Sequence, residues 1–369
     1  MMPHCRIPIS GPMNLLAVAA LVLALSILPF MTVSAQSSKP KILMVVTSNN
    51  KLKDGSAAGY YLPEAVDFYL VMKEAGYTLD NIEVVSPKGG RAPMYRRSTY
   101  LNYPPFRQLE EYNEFLAKLD NSRTPDQINP ADFSVIYYIG GFASLFDYPD
   151  NQAIASIASS IYERGGIIAA VCHGPSGLLP IRLSNGKSLL EGLTVTARPI
   201  EEETNHGEIS REDVLYYFPF ILEEQLTERG ATVEKGTSYQ PKATVDRRVV
   251  TGQNEYSSTV VALEVLNLLE NMPSGVEGNA DAAGFSLAQN SPNPFTGGTS
   301  ISYAIAGRGD ARLAVYNVMG QEVAVLVDGH HEPGNYEARL AEGLLVPGTY
   351  LYRLEAAGRT ASRTMVVTR

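Results

Sequence analysis

The chain has 369 residues, enough for two domains, and 45% of them are hydrophobic. Lys and Arg number 30 against 39 Asp and Glu, a formal net charge of −9 with no basic run, which excludes an electrostatic case for nucleic-acid binding. Tryptophan is absent, so aromatic packing falls to 21 tyrosines and 11 phenylalanines.

At the N-terminus, Arg6 precedes an apolar run, Leu15–Phe30, and Val33-Ser34-Ala35 offers small residues before Gln36. That pattern predicts a cleaved leader over residues 1–35. An uncleaved anchor is the alternative, opposed by the shortness of the run and by Pro29. Cleavage removes Cys5 and leaves Cys172 alone, so no disulfide can form within the mature chain.

Beyond the leader, short apolar runs alternate with helical spacing. Lys41–Val46 reads as a buried strand, Leu62–Ala75 as a helix stopped by Gly76, and Ile82–Val85 as a second strand. Arg91–Asp132 breaks this rhythm, being rich in Tyr, Pro and Arg around a helical piece, Leu109–Leu119. A long insertion of that kind is a lid or a surface excursion. Phe133–Ile139 is a third strand, ended by Gly140-Gly141, and Asn151–Arg164 is an amphipathic helix closed by Gly165. Ile167–Val171 is the fourth strand. Further strands are expected at Leu193–Ala197, Ala231–Glu234 and Arg248–Thr251, with helices at Phe220–Arg229 and Tyr256–Leu269. This alternation implies a largely parallel sheet with helices on both faces, its site beyond the carboxyl ends of the strands.

Residues 272–284 read as a linker. The pattern then changes to six short runs broken by Gly, Asp and Asn, from Ser300–Ala304 to Ser362–Val367, which predict a small all-β sandwich. His330-His331 is expected in an exposed turn of that sandwich.

The chemistry concentrates at Gly165–Pro180, GGIIAAVCHGPSGLLP. A strand that turns sharply at Cys172 into a helix start, with Pro175 at its first position, holds the thiol above the sheet. Helix-start N–H groups there favour a thiolate nucleophile. The plainer reading is an inert buried cysteine. Other groups can converge on it. Glu64 stands at a helix start, where dipole complementation or acid catalysis explains it. Gly140-Gly141 either makes a plain turn or aims N–H groups at an oxyanion. Glu201-Glu202-Glu203, with His206 and Glu208, is a solvated acidic loop, a carboxylate for His173, or, less favoured, a metal site.

Ala170-Val171-Cys172-His173-Gly174-Pro175 resembles the nucleophile elbow of the ThiJ/PfpI superfamily. Lys41–Leu269 is similar to its branch of stress chaperones with glyoxalase III activity. Gly59–Glu64, Ser86–Gly90, Leu145–Pro149 and Val250–Asn254 carry the likeness along the whole region. The resemblance implies a flavodoxin-like, doubly wound α/β domain over 41–271. It implies Cys172 as nucleophile, Glu64 as the acid against its sulfur, His173 as the catalytic histidine, and Glu203, or its neighbour Glu202, as the carboxylate behind it. Gly141 and His173 would supply oxyanion N–H groups, with Gly140 and Gly174 in the same oxyanion or substrate-binding set. Many relatives carry a histidine after the Gly-Gly pair, where this chain has Phe142. No cofactor and no metal are implied.

The implied activity is a cysteine-dependent conversion of methylglyoxal to lactate, of the glyoxalase III or D-lactate dehydratase type. A cysteine peptidase or amidase acting on peptides, and a holdase using the thiol as a redox sensor, are the alternatives. A glutamine amidotransferase is disfavoured, because Val249–Tyr256 lacks a histidine. A homodimer is admitted by the family resemblance.

The C-terminal segment resembles a type IX secretion sorting domain of Ig-like form over 285–369, through Leu287–Phe295, Val315–Gly320 and Pro347–Tyr350. It implies a partner in that secretion machinery and an exported product, secreted or held at the outer-membrane surface.

Overall fold

The structure, a computed structural model, describes residues 39–205, 210–271, 285–293, 295–317, 322–356 and 358–367. The expected leader, the expected linker, His206, Glu208 and part of the Val315–Gly320 motif lie outside the described residues.

The first region alternates strand and helix. β1 (Ile42–Val45) leads to α1 (Leu62–Glu74), which has Pro63 in its first turn, and then to β2 (Ile82–Val85). The Tyr-rich insertion follows as three short helices, α2 (Arg97–Tyr100), α3 (Pro104–Gln108) and α4 (Tyr112–Asp120). Next come β3 (Val135–Tyr138), α5 (Ser144–Asp147) and α6 (Gln152–Glu163). The Asn151 side chain caps α6 by accepting from the Ile154 N–H at 2.8 Å. β4 (Ile167–Val171) runs into a five-residue 3-10 helix, Gly174–Leu178, at the helix start expected there. It is wedged tightly: a Cβ on Gly174 would lie 2.2 Å from the Tyr138 carbonyl oxygen.

The remainder is β5 (Thr194–Val195), α7 (Ile200–Glu203), α8 (Arg211–Tyr217), α9 (Leu222–Glu228), β6 (Thr232–Val233), β7 (Ala243–Asp246), β8 (Val249–Gly252) and α10 (Ser258–Asn271).

The main sheet has the order β2-β1-β3-β4-β8-β7. Its first five strands are parallel, and β7 pairs antiparallel with β8, so the sheet is mixed. β5 and β6 pair as a separate parallel ribbon. Alternation of side chains feeds two cores. Ile42, Met44, Val135 and Tyr137 pack against α1, α4 and α10, while Leu43, Val45, Ile136 and Tyr138 pack against α6 and α9.

A separate all-β region follows. It is built from β9 (Ser286–Leu287), β10 (Thr299–Ile305), β11 (Gly309–Asn317), β12 (Glu322–His331), β13 (Gly334–Leu340), β14 (Gly348–Ala356) and β15 (Arg359–Val367). Its sheets have the orders β13-β10-β9 and β12-β11-β14-β15, and Ile301, Leu313, Tyr352, Leu354 and Met365 form their shared core. His330-His331 ends β12 instead of forming a turn. His330 stands opposite Asp310 in the β11–β12 pairing, with its Nδ1 3.2 Å from the Asp310 carboxylate. The region rests on α10, where Arg363 donates to Asn267 Oδ1 at 2.8 Å and Leu351 joins the first core.

Candidate active site

Cys172 follows β4 directly, at φ +59. A non-glycine residue in the left-handed region is costly by roughly 1–3 kcal/mol unless its surroundings hold it there. Here they do. Its N–H donates to the Gly252 carbonyl at 2.9 Å, and its own carbonyl accepts from the Arg198 N–H at 3.0 Å. The bend is thereby clamped between β8 and the segment after β5.

Three side chains meet the thiol region. Cys172 Sγ lies 3.3 Å from Nδ1 of His173, and the opposite ring nitrogen, Nε2, meets Glu203 Oε1. His173 is 1% exposed, so this contact with Glu203 fixes the ring inside the protein. Of the two adjacent carboxylates left open by the sequence, Glu203 reaches the histidine. Glu202 points elsewhere on the same helical turn. It accepts from Gln253 at 2.9 Å and Asn254 at 3.0 Å, and it pairs with Arg198 at 3.1 Å.

Glu64 is fully buried in the first turn of α1. Its Oε2 accepts from the Gly140 N–H at 2.6 Å, while Oε1 has no hydrogen-bond partner among the described residues. Burial pushes this carboxyl well above the usual carboxylate range, with the Gly140 N–H and the Cys172 thiol pulling the other way. Glu64 is therefore a buried acid whose neutral form is favoured by its surroundings. Burial also raises the Cys172 thiol, the Glu64 charge adds to that rise, and Arg198 opposes it. The expectation of a thiol lowered by helix-start N–H groups meets a different balance, because the following 3-10 helix is one short turn and the sulfur is dry.

The glycines separate into two roles. Gly140 spends its N–H on Glu64, and a Cβ there would lie 2.6 Å from the Val171 carbonyl oxygen and 2.9 Å from Glu64 Oε2. It holds the acid and does not border the cavity. Gly174 packs on Tyr138, also away from the cavity. Gly141 and His173 do border it.

That cavity is about 190 Å³. Tyr61, Tyr95, Tyr100 and Phe142 form its aromatic wall, and Arg198 and Glu255 add a charged side. Tyr95 and Tyr100 come from the insertion that breaks the sequence rhythm. Phe142 sits edge-on to His173 at 5.2 Å and stacks on Phe218 at 5.2 Å, so the position after Gly-Gly is an apolar prop for the imidazole. Arg198 and Glu255 pair directly. Sequence reasoning missed both. Arg198 stands alone after a two-residue strand and Glu255 begins a helix, and nothing local links residues 57 apart. Among the described residues, no group of three or more His, Cys, Asp or Glu is arranged to hold a metal ion.

Comparison with known proteins places this geometry. The DJ-1/PfpI family model matches residues 62–267. The chain belongs to the DJ-1/PfpI family. Within it, similarity runs to the glyoxalase III-like branch. A probable glutathione-independent glyoxalase of Schizosaccharomyces pombe is 30% identical over 246 residues, spanning 59% of this chain and 92% of that protein. Glyoxalase 3 of Candida albicans is 28% identical over 240 residues, spanning 62% of this chain and 98% of that protein. Among solved structures, the 24 kDa Rapid Encystment Protein of Francisella tularensis superposes with TM-score 0.52 at 25% identity, over 63% of this chain and 99% of that one. Glyoxalase III from Candida albicans shares the fold, with TM-score 0.51 at 23% identity, over 62% of this chain and 96% of that one.

Proposed function

We propose that this DJ-1/PfpI member is an exported, cofactor-independent glyoxalase III-type enzyme that converts methylglyoxal and water to lactate. The observation that carries the reading is the convergence of the strained Cys172, the buried acid Glu64 and the His173–Glu203 pair on one small cavity. About 190 Å³ suits a three-carbon dicarbonyl and not a peptide, which sets the peptidase reading second.

The chemistry balances with this chain's own groups. The Cys172 S–H adds across the aldehyde C=O, so a C–S bond forms and the carbonyl oxygen takes a proton. The N–H groups of Gly141 and His173, both of which border the cavity, are the donors assigned to that developing oxygen. His173, oriented by Glu203, removes the hydrogen on the former aldehyde carbon as a proton. Glu64 gives a proton to the neighbouring carbonyl oxygen, which leaves an enediol. His173 then returns its proton to the neighbouring carbon while the former aldehyde hydroxyl gives its proton to Glu64, and the adduct becomes a lactoyl thioester with both groups restored. Water then cleaves the thioester, releasing lactate and restoring the thiol.

In this reading residues 1–35 are a leader, 41–271 the catalytic domain, 272–284 a linker, and 285–369 a type IX sorting domain of Ig-like form. The C-terminal motifs and the two-sheet architecture of that region support the last assignment. Export delivers the enzyme to the outer-membrane surface or beyond, and a homodimer is compatible with this reading. The deciding experiment measures lactate from methylglyoxal. Wild-type protein is expected to form it, and Cys172→Ser to lose at least about a thousandfold of kcat/KM. Equal turnover by the serine variant refutes the reading.

A further inference from the structure

A second cavity, of about 360 Å³, adjoins the reaction cavity and shares Tyr61, Tyr100 and Glu255 with it as a common wall. Its far side brings Asp67, Tyr103 and Tyr256. Nothing in the aldehyde chemistry uses these residues, and the volume exceeds the need of a three-carbon substrate.

The chemistry of this chamber is one-sided. Asp67 lies on α1, one turn beyond Glu64, and is largely buried. Its carboxylate accepts from the Tyr103 hydroxyl, at 2.8 Å to Oδ1 and 3.1 Å to Oδ2, and among the described residues no basic side chain pairs with it. Glu255 brings a second carboxylate. Its partner Arg198 is shared with Glu202, so that cluster holds two carboxylates for one guanidinium. Tyr61 and Tyr100 meet edge-on at 4.8 Å, and Tyr256 is 54% exposed at the mouth. Electron-rich ring faces around an uncompensated carboxylate attract an organic cation and reject an anion.

We propose that this chamber is a subsite for a cationic organic group, an alkylammonium or alkylguanidinium, carried on the far end of a carbonyl substrate held at Cys172. The cation sits against Asp67 and Glu255 with tyrosine rings over its alkyl hydrogens, while the carbonyl end crosses the shared wall to the thiol. The assignment of the cation to a substrate rests on the aldehyde reading of the Cys172 site. The existence of the subsite does not, because its test reads binding and no turnover.

The test is calorimetric titration of the full chain with n-butylammonium, against butan-1-ol as a neutral probe of similar shape. The wild type is expected to bind the ammonium at least about tenfold more tightly than the alcohol. Asp67→Asn, which keeps the acceptor for Tyr103 and removes the charge, is expected to abolish that preference, and Tyr100→Leu to reduce it severalfold. Equal binding of ammonium and alcohol by the wild type overturns the proposal, as does a preference that persists undiminished in Asp67→Asn. Failure of the aldehyde reading shows separately, as absence of lactate from wild-type protein.

Discussion

The α/β region and the C-terminal β region treat their buried polar groups in opposite ways. Among the described residues, every buried side-chain polar atom without a hydrogen-bond partner lies in the α/β region, on Tyr60, Glu64, Tyr138, Thr196, Arg198 and Glu202. Glu64, Arg198 and Glu202 belong to the thiol site or the charged cluster beside it. In the β region the buried polar groups close on one another. The Tyr352 hydroxyl donates to the Ala288 carbonyl at 2.8 Å and accepts from the Asn290 N–H at 2.7 Å, and Asn290 Nδ2 donates to Thr299 at 3.0 Å. Unsatisfied buried groups cost stability and persist where another role retains them. The contrast sets the region of the thiol cavity, which keeps unpaired buried atoms, against a β region whose buried polar groups pair with one another.

The sharpest way to break that contrast is at Glu64. Glu64→Gln keeps an acceptor for the Gly140 N–H but removes the ionisable carboxyl beside the thiol, and with it both the proton it can give and the charge it carries when ionised. Turnover is expected to fall about a hundredfold to a thousandfold. The thiol titration, followed by thiolate absorbance, is expected to move down, since the Glu64 charge is one of the causes raising it. Loss of activity without that movement would assign Glu64 a merely structural role. Glu203→Gln acts one step removed, through His173, and should cost about tenfold to a hundredfold, mainly in kcat.

How far the sequence reveals this differs by element. The strands that build the sheet centre announce themselves as continuous apolar runs, and Ile42–Val45 and Ile167–Val171 fall where those runs lie. β7 was missed because ATVD is a polar-interrupted edge segment that pairs antiparallel, outside the β-α rhythm. α8 was missed because it buries little beyond Val214. The elbow at Cys172 is legible from its strand, its cysteine and its glycines. The choice between Glu202 and Glu203 is not, since successive helical residues point about 100° apart and only the packed orientation of α7 decides which faces His173. Gly140 misleads for a related reason: the doublet signals backbone N–H groups, but one of them is taken by an acid 76 residues earlier.

On the structural side, Tyr352→Phe tests the claim of full satisfaction. It strands a buried N–H on Asn290 and a carbonyl on Ala288, so the β region should lose about 1–3 kcal/mol. Aldehyde turnover should be unchanged, because no residue of that region borders the cavity. A melting curve for the variant indistinguishable from wild type would show that the network adds no stability.

The last expected effect, at Asp67, is a gain in stability and not a loss, and its sign is informative. Burial raises this carboxyl from 3.8 to about 6, against the opposing hydrogen bond from Tyr103. The folded protein therefore holds the Asp67 proton more tightly than the unfolded chain does. Between about pH 4 and pH 6 the native state binds more protons, so its stability falls as pH rises through that window. Above pH 6 the charged carboxylate is carried at full cost, and below pH 4 both states are protonated and the cost vanishes. Asp67→Asn removes the charge at every pH. The variant should be more stable than wild type by about 1–3 kcal/mol at pH 7.5, with the advantage disappearing near pH 4. Thermal unfolding at the two pH values measures it. A variant less stable at pH 7.5 would mean that Asp67 is compensated in the folded chain, and the chamber beside the thiol would then need no cation to balance it.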